Sequence, residues 1–400
     1  MKIRTLKNNF ASKLILPTLL ASALLPQTTL ADRNWNEAND PKNLEPDYVY
    51  TFNTLPLSGN LDASRKGWSD SYWPATRGYI ADRWQVPALA FKFDEYDLPK
   101  PDTVYRMAAG QLNLLSPAEK FDIVRGRLDF PTAKFFRKKN PSDRDWWRGL
   151  CNGWTQASIH YDEPKNIVFT SPVNGIRMPF GSSDIKGLLA YYYSYMDRTV
   201  EESKNPYHGY IGRACKLKER ILLNARGGCS DINAGAFHIA LTNEIGLRKR
   251  AFAMDRDPDT QVWNHPVVGF ETKVLSVKTR DLSKDKTPGT VREVNVETTV
   301  KYVNELYSTH ASGEENDRNV APRYGPLGPG NHHYGTLTYR YVLELNSYDR
   351  IIGGEWEKDS SYPDFIWRQA FDPEGLGRDT KNFKDDWTLL DAIVKAATQY

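Results

Sequence analysis

The 400 residues carry 53 Lys and Arg against 50 Asp and Glu, a balance close to neutral. That balance argues against a nucleic-acid or anionic-membrane partner. The length suits one large domain or two, and the aromatic content (11 Trp, 22 Tyr, 16 Phe) is enough for a core and for a binding surface.

The chain opens on a basic segment with Lys2, Arg4, Lys7 and Lys13. A short apolar run follows from Leu14 to Leu25, broken at Pro17. Thr29-Leu30-Ala31 then sets small residues before a cut. The pattern predicts a secretory signal peptide over 1–31, cleaved after Ala31 and too short to span a membrane. An uncleaved N-terminal anchor is the alternative. The leader holds four basic residues and no acidic ones, so the remainder carries a net charge of −1. No later stretch approaches the ~20 apolar residues of a membrane helix, so the mature chain is expected to be secreted or periplasmic, with no membrane span.

Residues 32–66 are polar and Pro/Asn-rich and read as an extended linker or pro-region. A single catalytic domain is expected over 67–400, its helical part at about 67–228 and its β-rich part at about 229–370. Ser116-Pro117-Ala118-Glu119 sets Ser at an N-cap, Pro at the first helical position and Glu three residues on, which starts a helix running through Phe121, Ile123 and Val124. Residues 151–161 read as a helix that stops before Pro164, and Asp184 caps another over 184–196. After Cys229 the pattern turns to strands, at 237–242, 251–255, 262–278, 291–303 and 336–346. Alternation is clearest at Leu337, Tyr339, Tyr341, Leu343 and Leu345. The Pro-Gly stretch in 281–290 reads as a hairpin tip, and 311–332 as a long Gly/Pro-rich loop. A closing helix is expected over 384–399. Helices first and an antiparallel sheet after them make the fold class α+β.

Three cysteines behind an export signal is an odd count. Cys215 and Cys229 are the natural disulfide pair, closing a short loop; three free thiols is the alternative, and Cys229 as nucleophile is a rival that leaves little room before His238. The remaining thiol, Cys151, sits in Trp147-Arg148-Gly149-Leu150-Cys151-Asn152-Gly153-Trp154, at a predicted helix start. There the positive end of the helix dipole favours thiolate and first-turn N–H groups can hold an oxyanion. The plain reading of Cys151 is a small buried hydrophobe. A thiol nucleophile needs a base and an orienter. Of seven histidines, His238 is the best candidate, on the predicted strand 237–242. Asp255 closes the next strand and would reach His238 if the two strands pair. The plain readings are a satisfied structural His238 and an Asp255 that caps a turn. Trp147, Trp154 and Trp263 could line a substrate slot, with core packing the alternative for at least one. Asp255, Asp257 and Asp259 could bind calcium, a solvated turn being the simpler reading. His332-His333 lacks metal-ligand spacing, and no metal site is assigned.

Val262-Trp263-Asn264-His265-Pro266-Val267-Val268-Gly269-Phe270 closely resembles the peptide-elicitor segment of the cell-wall transglutaminase elicitors of Phytophthora, which reads Val-Trp-Asn-Gln-Pro-Val-Arg-Gly-Phe. His265 and Val268 are the departures. Tyr72-Trp73-Pro74, Leu115 to Lys120, Cys151-Asn152-Gly153-Trp154, Ala236-Phe237-His238, Gly353 to Trp356 and Pro363 to Trp367 extend the resemblance over roughly 67–368. It implies a papain/transglutaminase-like thiol fold and calcium-dependent cross-linking of protein glutamine side chains to primary amines, chiefly lysine. It also implies Cys151, His238 and Asp255 as nucleophile, base and orienter. A cysteine peptidase, amidase or deamidase would use the same triad, and a non-catalytic surface-binding protein stands in another class.

Overall fold

Ser116 shows how local sequence builds the helical half. The computed structural model describes residues 35–62, 67–83, 97–139, 146–200, 208–213, 231–258, 261–305, 334–369 and 387–398, with side chains left aside at 196–200 and 208. Two short helices, α1 (Pro101–Val104) and α2 (Ala109–Asn113), lead into α3 (Pro117–Val124). At its start the Ser116 hydroxyl accepts from Glu119 N–H at 3.2 Å, and the Glu119 carboxylate accepts from Ser116 N–H at 3.0 Å. Both orphan donors of the helix end are thereby satisfied. Next come α4 (Pro131–Arg137), α5 (Cys151–His160) and α6 (Ser182–Val200). Lys120 Nζ reaches Asp184 Oδ2 at 2.5 Å, an ion pair buried on both sides that ties α3 to α6.

α5 and α6 touch through backbone. A Cβ on Gly153 would collide with the Ala190 carbonyl and with Ser194. The helices therefore cross at a distance only glycine permits. Gly149 does the same just ahead of α5, where a Cβ would meet the Tyr72 carbonyl. Leu150 N–H donates to Tyr72 O at 2.6 Å and Ala75 N–H to Arg148 O at 2.7 Å, so the start of α5 is clasped by the 72–75 segment.

The second half is an antiparallel sheet with strands β4 (His208–Gly212), β5 (Phe252–Asp255), β6 (Asn264–Lys278), β7 (Arg292–Val303), β8 (Tyr334–Leu345), β9 (Ile351–Trp356) and β10 (Phe365–Gln369). They stand in the order β4-β10-β5-β6-β7-β8-β9, and β1 (Ser58–Asn60) pairs with β6. A separate hairpin joins β2 (Ile167–Thr170) and β3 (Arg177–Phe180). The alternation read at 337–345 sends Tyr339, Tyr341, Leu343 and Leu345 into the core while Thr338 and Arg340 stay outside. The described fold is therefore α+β, helices packed on an antiparallel sheet, as expected.

One expected strand is a helix. Residues 237–242 fall in α7 (Ala234–Leu241), which runs on into a wider turn at Thr242–Leu247. Asn233 caps it, accepting from Gly235 N–H at 2.8 Å, and also donates to Gly354 O at 3.0 Å. Gly235 lies so close to the Gly353 backbone that α7 sits directly on β9. The 35–62 segment is part of the body. Leu44, Tyr48, Tyr50, Leu55 and Leu61 are buried, and Tyr48 Oη donates to Glu244 at 2.8 Å. The expected closing helix is α8 (Trp387–Thr398), whose Trp387 stacks on Phe121 at 6.0 Å. The signal peptide and both cysteines of the expected disulfide lie outside the described residues.

Gly153→Ala should push α5 off α6. A loss of about 1–3 kcal/mol is expected for such overpacking, read as a lower urea midpoint with an unchanged slope.

Candidate active site

α5 presents Cys151 as its first residue, buried against the start of β6. The sulfur lies 3.5 Å from Val262 O and 3.8 Å from Asn264 Nδ2. One turn on, the Thr155 hydroxyl is within hydrogen-bond distance of Cys151 O (2.8 Å) and Asn264 O (3.0 Å), pinning helix to strand. Asn264 Oδ1 accepts from Trp367 Nε1 at 2.7 Å. Trp367 in turn lies flat against Tyr210, with centroids 5.4 Å apart and planes 4° from parallel.

These groups form one wall of a cleft of about 350 Å³, lined by Tyr79, Trp147, Asn152 and Phe365 among others, with Cys151 in it. Arg148 is the one charged residue of its lining among the described residues. Next to the lining residue Val262 in the chain, Trp263 meets Tyr72 edge-on at 5.5 Å and Trp146 at 5.8 Å. Trp146 is 52% exposed, so this aromatic rim faces solvent.

Asp255 belongs to this neighbourhood. It stands opposite Asn264 in the β5–β6 register, and its Oδ1 accepts from Trp263 N–H at 2.8 Å. That bond holds Trp263, whose chain neighbour Val262 meets the sulfur through its carbonyl. The resting thiol is protonated: burial pushes it up to about 12, and the negative charges of Glu305 and Asp255 add to that, against two hydrogen bonds from Asn264. The helix start is the feature expected to favour thiolate, and loss of solvent acts against it. Glu305 just past β7 is held near pH 8 by its own burial, opposed by Arg256, and Glu305 Oε1 has no hydrogen-bond partner among the described residues.

His238 does not join this group. It sits in α7, buried, with Nδ1 at 2.8 Å from Tyr341 Oη and its ring against Phe52. Tyr341 passes the chain to Thr298 at 2.8 Å, and Thr298 to Thr272 at 2.9 Å. His238 touches neither Cys151 nor Asp255, because a helix on the far strands of the sheet replaces the expected hairpin. Trp154 is also corrected: it is fully buried, donates to Trp68 O at 3.1 Å and packs against His265, away from the cleft. Trp147 lines the cleft, and Trp263 stands between the lining residues Val262 and Asn264 in the chain and packs against Trp146. His265, one of the two departures in the elicitor-like segment, faces Val303 O through Nδ1 at 2.9 Å; burial brings it down to about 3. His310, His332 and His333 lie outside the described residues.

Asn264, Trp367 and Tyr210 were not singled out from sequence. Asn264 and Cys151 are 113 positions apart, so only the elicitor-like segment around Asn264 hinted at it. Of the three candidate calcium ligands, Asp259 lies outside the described residues. Asp255 Oδ1 is held by a backbone N–H and Asp257 faces Arg256, while no cluster of three or more His, Cys, Asp or Glu suited to a metal exists among the described residues.

With this geometry in view, the comparisons are informative. The Transglutaminase elicitor family matches residues 143–377, more than half of the chain and all of the Cys151 wall. The chain belongs to the transglutaminase elicitor family. The crystal structure of the GP42 transglutaminase from Phytophthora sojae aligns with a TM-score of 0.60 at 19% identity, covering 91% of this chain and 98% of that one. That likeness is one of fold. No curated protein matches. Among the described residues of this family member, no helix is long and apolar enough to cross a membrane.

Two outcomes follow. Iodoacetamide should alkylate Cys151 at a rate that keeps climbing beyond pH 9; a thiolate inflection at pH 5–7 would contradict the burial. His238 is held down to about 3 by burial, from 6.5. Its stabilising contribution is therefore complete above 6.5 and is lost as pH falls toward 3, because only the unfolded chain takes up the proton. Asp82, raised to about 6, and Glu305 oppose this trend. The difference between wild type and His238→Asn isolates it: the variant should be less stable, with a stability-against-pH slope between 6 and 4 shallower by up to ~1.4 kcal/mol per unit.

Proposed function

We propose that this family member is an exported acyltransferase that joins protein glutamine side chains to primary amines through a thioester on Cys151. One observation carries the reading: a first-turn helix thiol on the wall of an aromatic cleft, with an amide donor held against the sulfur. In this reading Cys151 Sγ adds to the carboxamide carbon of a glutamine. The thiol proton ends on the departing ammonia. An amine, such as a lysine, then attacks the thioester and restores the thiol.

The family and the GP42-like fold support this chemistry. The cleft supports it further, because aromatic walls exclude water and so favour an amine over hydrolysis of the acyl-enzyme. Trp147 and Trp263 serve as the substrate-facing tryptophans. Asp255 acts by holding the Val262–Trp263 turn against the sulfur and not through His238. A cleaved leader over 1–31 would carry the enzyme out of the cytosol, where Cys215 and Cys229 would pair. Among the described residues the cleft lining holds Arg148 and no carboxylate, so acceptor amines are selected by their apolar stem more than by charge.

The deciding assay is incorporation of a dansylated amine into casein by the mature protein beside Cys151→Ala, with calcium and with chelator. The expected result is labelling that Cys151→Ala abolishes, equal in both lanes. Cys151-dependent ammonia release or peptide cleavage without labelling would reassign the protein to a deamidase or peptidase. Full function in Cys151→Ala would leave a binding protein.

A further inference from the structure

The carboxamide of Asn264 has a determined orientation. An indole N–H can only donate, so the atom that meets Trp367 Nε1 at 2.7 Å must be the carboxamide oxygen. The amino group, Nδ2, therefore faces Cys151 Sγ at 3.8 Å. Asn264 and Trp367 are both buried, and Tyr210 covers Trp367 in a parallel stack, so the orientation is locked from behind. Among the described residues the sulfur is the only partner of Nδ2. All four residues line the same cleft. The backbone N–H of Cys151, in the first turn of α5, has no intrahelical acceptor either. Both donors thus belong to the immediate surroundings of Sγ, where an oxygen would sit once the sulfur bonds to a carbonyl carbon.

We propose that Asn264 is a catalytic residue whose Nδ2, with the Cys151 backbone N–H, holds the oxyanion formed when Sγ adds to an acyl carbonyl, and that Trp367 is the positioning residue that fixes this donor. The inference rests on the reading of Cys151 as an acyl-transfer nucleophile. As the sulfur–carbon bond forms, the carbonyl π pair moves onto oxygen, and the thiol proton passes to the leaving group. Collapse restores the carbonyl, breaks the bond to the leaving group and leaves the thioester. Donors aimed at the oxygen stabilise the adduct and not the resting thiol, which is where such hydrogen bonds accelerate a reaction.

The test compares two reactions of the same sulfur. Alkylation by iodoacetamide is displacement at a saturated carbon and forms no oxyanion; acylation by p-nitrophenyl acetate does. The ratio of acylation to alkylation rates within each variant cancels changes in thiolate population. For Asn264→Asp and Asn264→Ala the ratio should fall roughly 10²–10³-fold, the usual cost of one oxyanion donor. For Trp367→Phe, which keeps the donor and frees its orientation, it should fall by less. Unchanged ratios, whether the rates hold or drop together, would overturn the proposal, as would a wild-type Cys151 that alkylates and never acylates. Should an Asn264 variant fail to fold, Trp367→Phe decides alone. Wild type that takes the ester in an Asn264-dependent way yet never labels casein would sink the cross-linking function and leave this assignment standing.

Discussion

Everything at the site depends on the seating of α5 end-on against the first residue of β6. Thr155 bridges the Cys151 and Asn264 carbonyls, and Gly153 lets α6 back the helix at backbone distance. Gly149 and Leu150 are clasped by Tyr72 from the other side. With the helix held on three sides, the sulfur has little freedom, and the strands beneath it determine what it meets. The pairing of β5 with β6 and β10 then brings Asp255, Asn264 and Trp367 into one layer. A cleft assembled from strand termini and a helix start is rigid by construction, which suits a group that must be aimed before any substrate arrives.

The electrostatics follow from the same packing. Excluding water from Cys151 raises its thiol, and the neighbouring carboxylates raise it further. Such a thiol needs a proton acceptor before it can attack, and in the proposed reaction the aromatic wall would favour an amine over water at the acyl-enzyme. The buried neutral His238, chained to Tyr341, Thr298 and Thr272, belongs to the core of the sheet. Its hydrogen bond to Tyr341 ties α7 to β8, beside the β9 strand on which the helix sits, and its protonation opposes folding.

Much of the architecture was legible because its signals are local. The Ser116 capping box, the helix start at Cys151 and the alternation at 337–345 each reflect physics within a few residues. Residues 237–242 were misread for an equally physical reason. Ala234 to Leu241 are buried on every side, so no polar face marks a helical period, and a short apolar run reads as strand just as well. The decisive cue, Asn233 as N-cap, lies just upstream. Asp255 was placed near the site, but the partner assigned to it was not. The contacts that build the cleft wall (Asn264 to Cys151, Trp367 to Asn264, Tyr210 to Trp367) cross more than 100 positions, and no pattern along the chain encodes them. Trp154 illustrates the converse: a tryptophan beside the nucleophile in sequence turns inward along the helix and becomes core.

The central claim is that Cys151 carries an acyl group. It is tested most directly by incubating the mature protein with a blocked glutamine peptide, without amine, quenching in acid and mapping the adduct by mass spectrometry. The account predicts a thioester of the glutamyl group on Cys151 that an added primary amine discharges. An unmodified Cys151, or an adduct carried elsewhere, would contradict it.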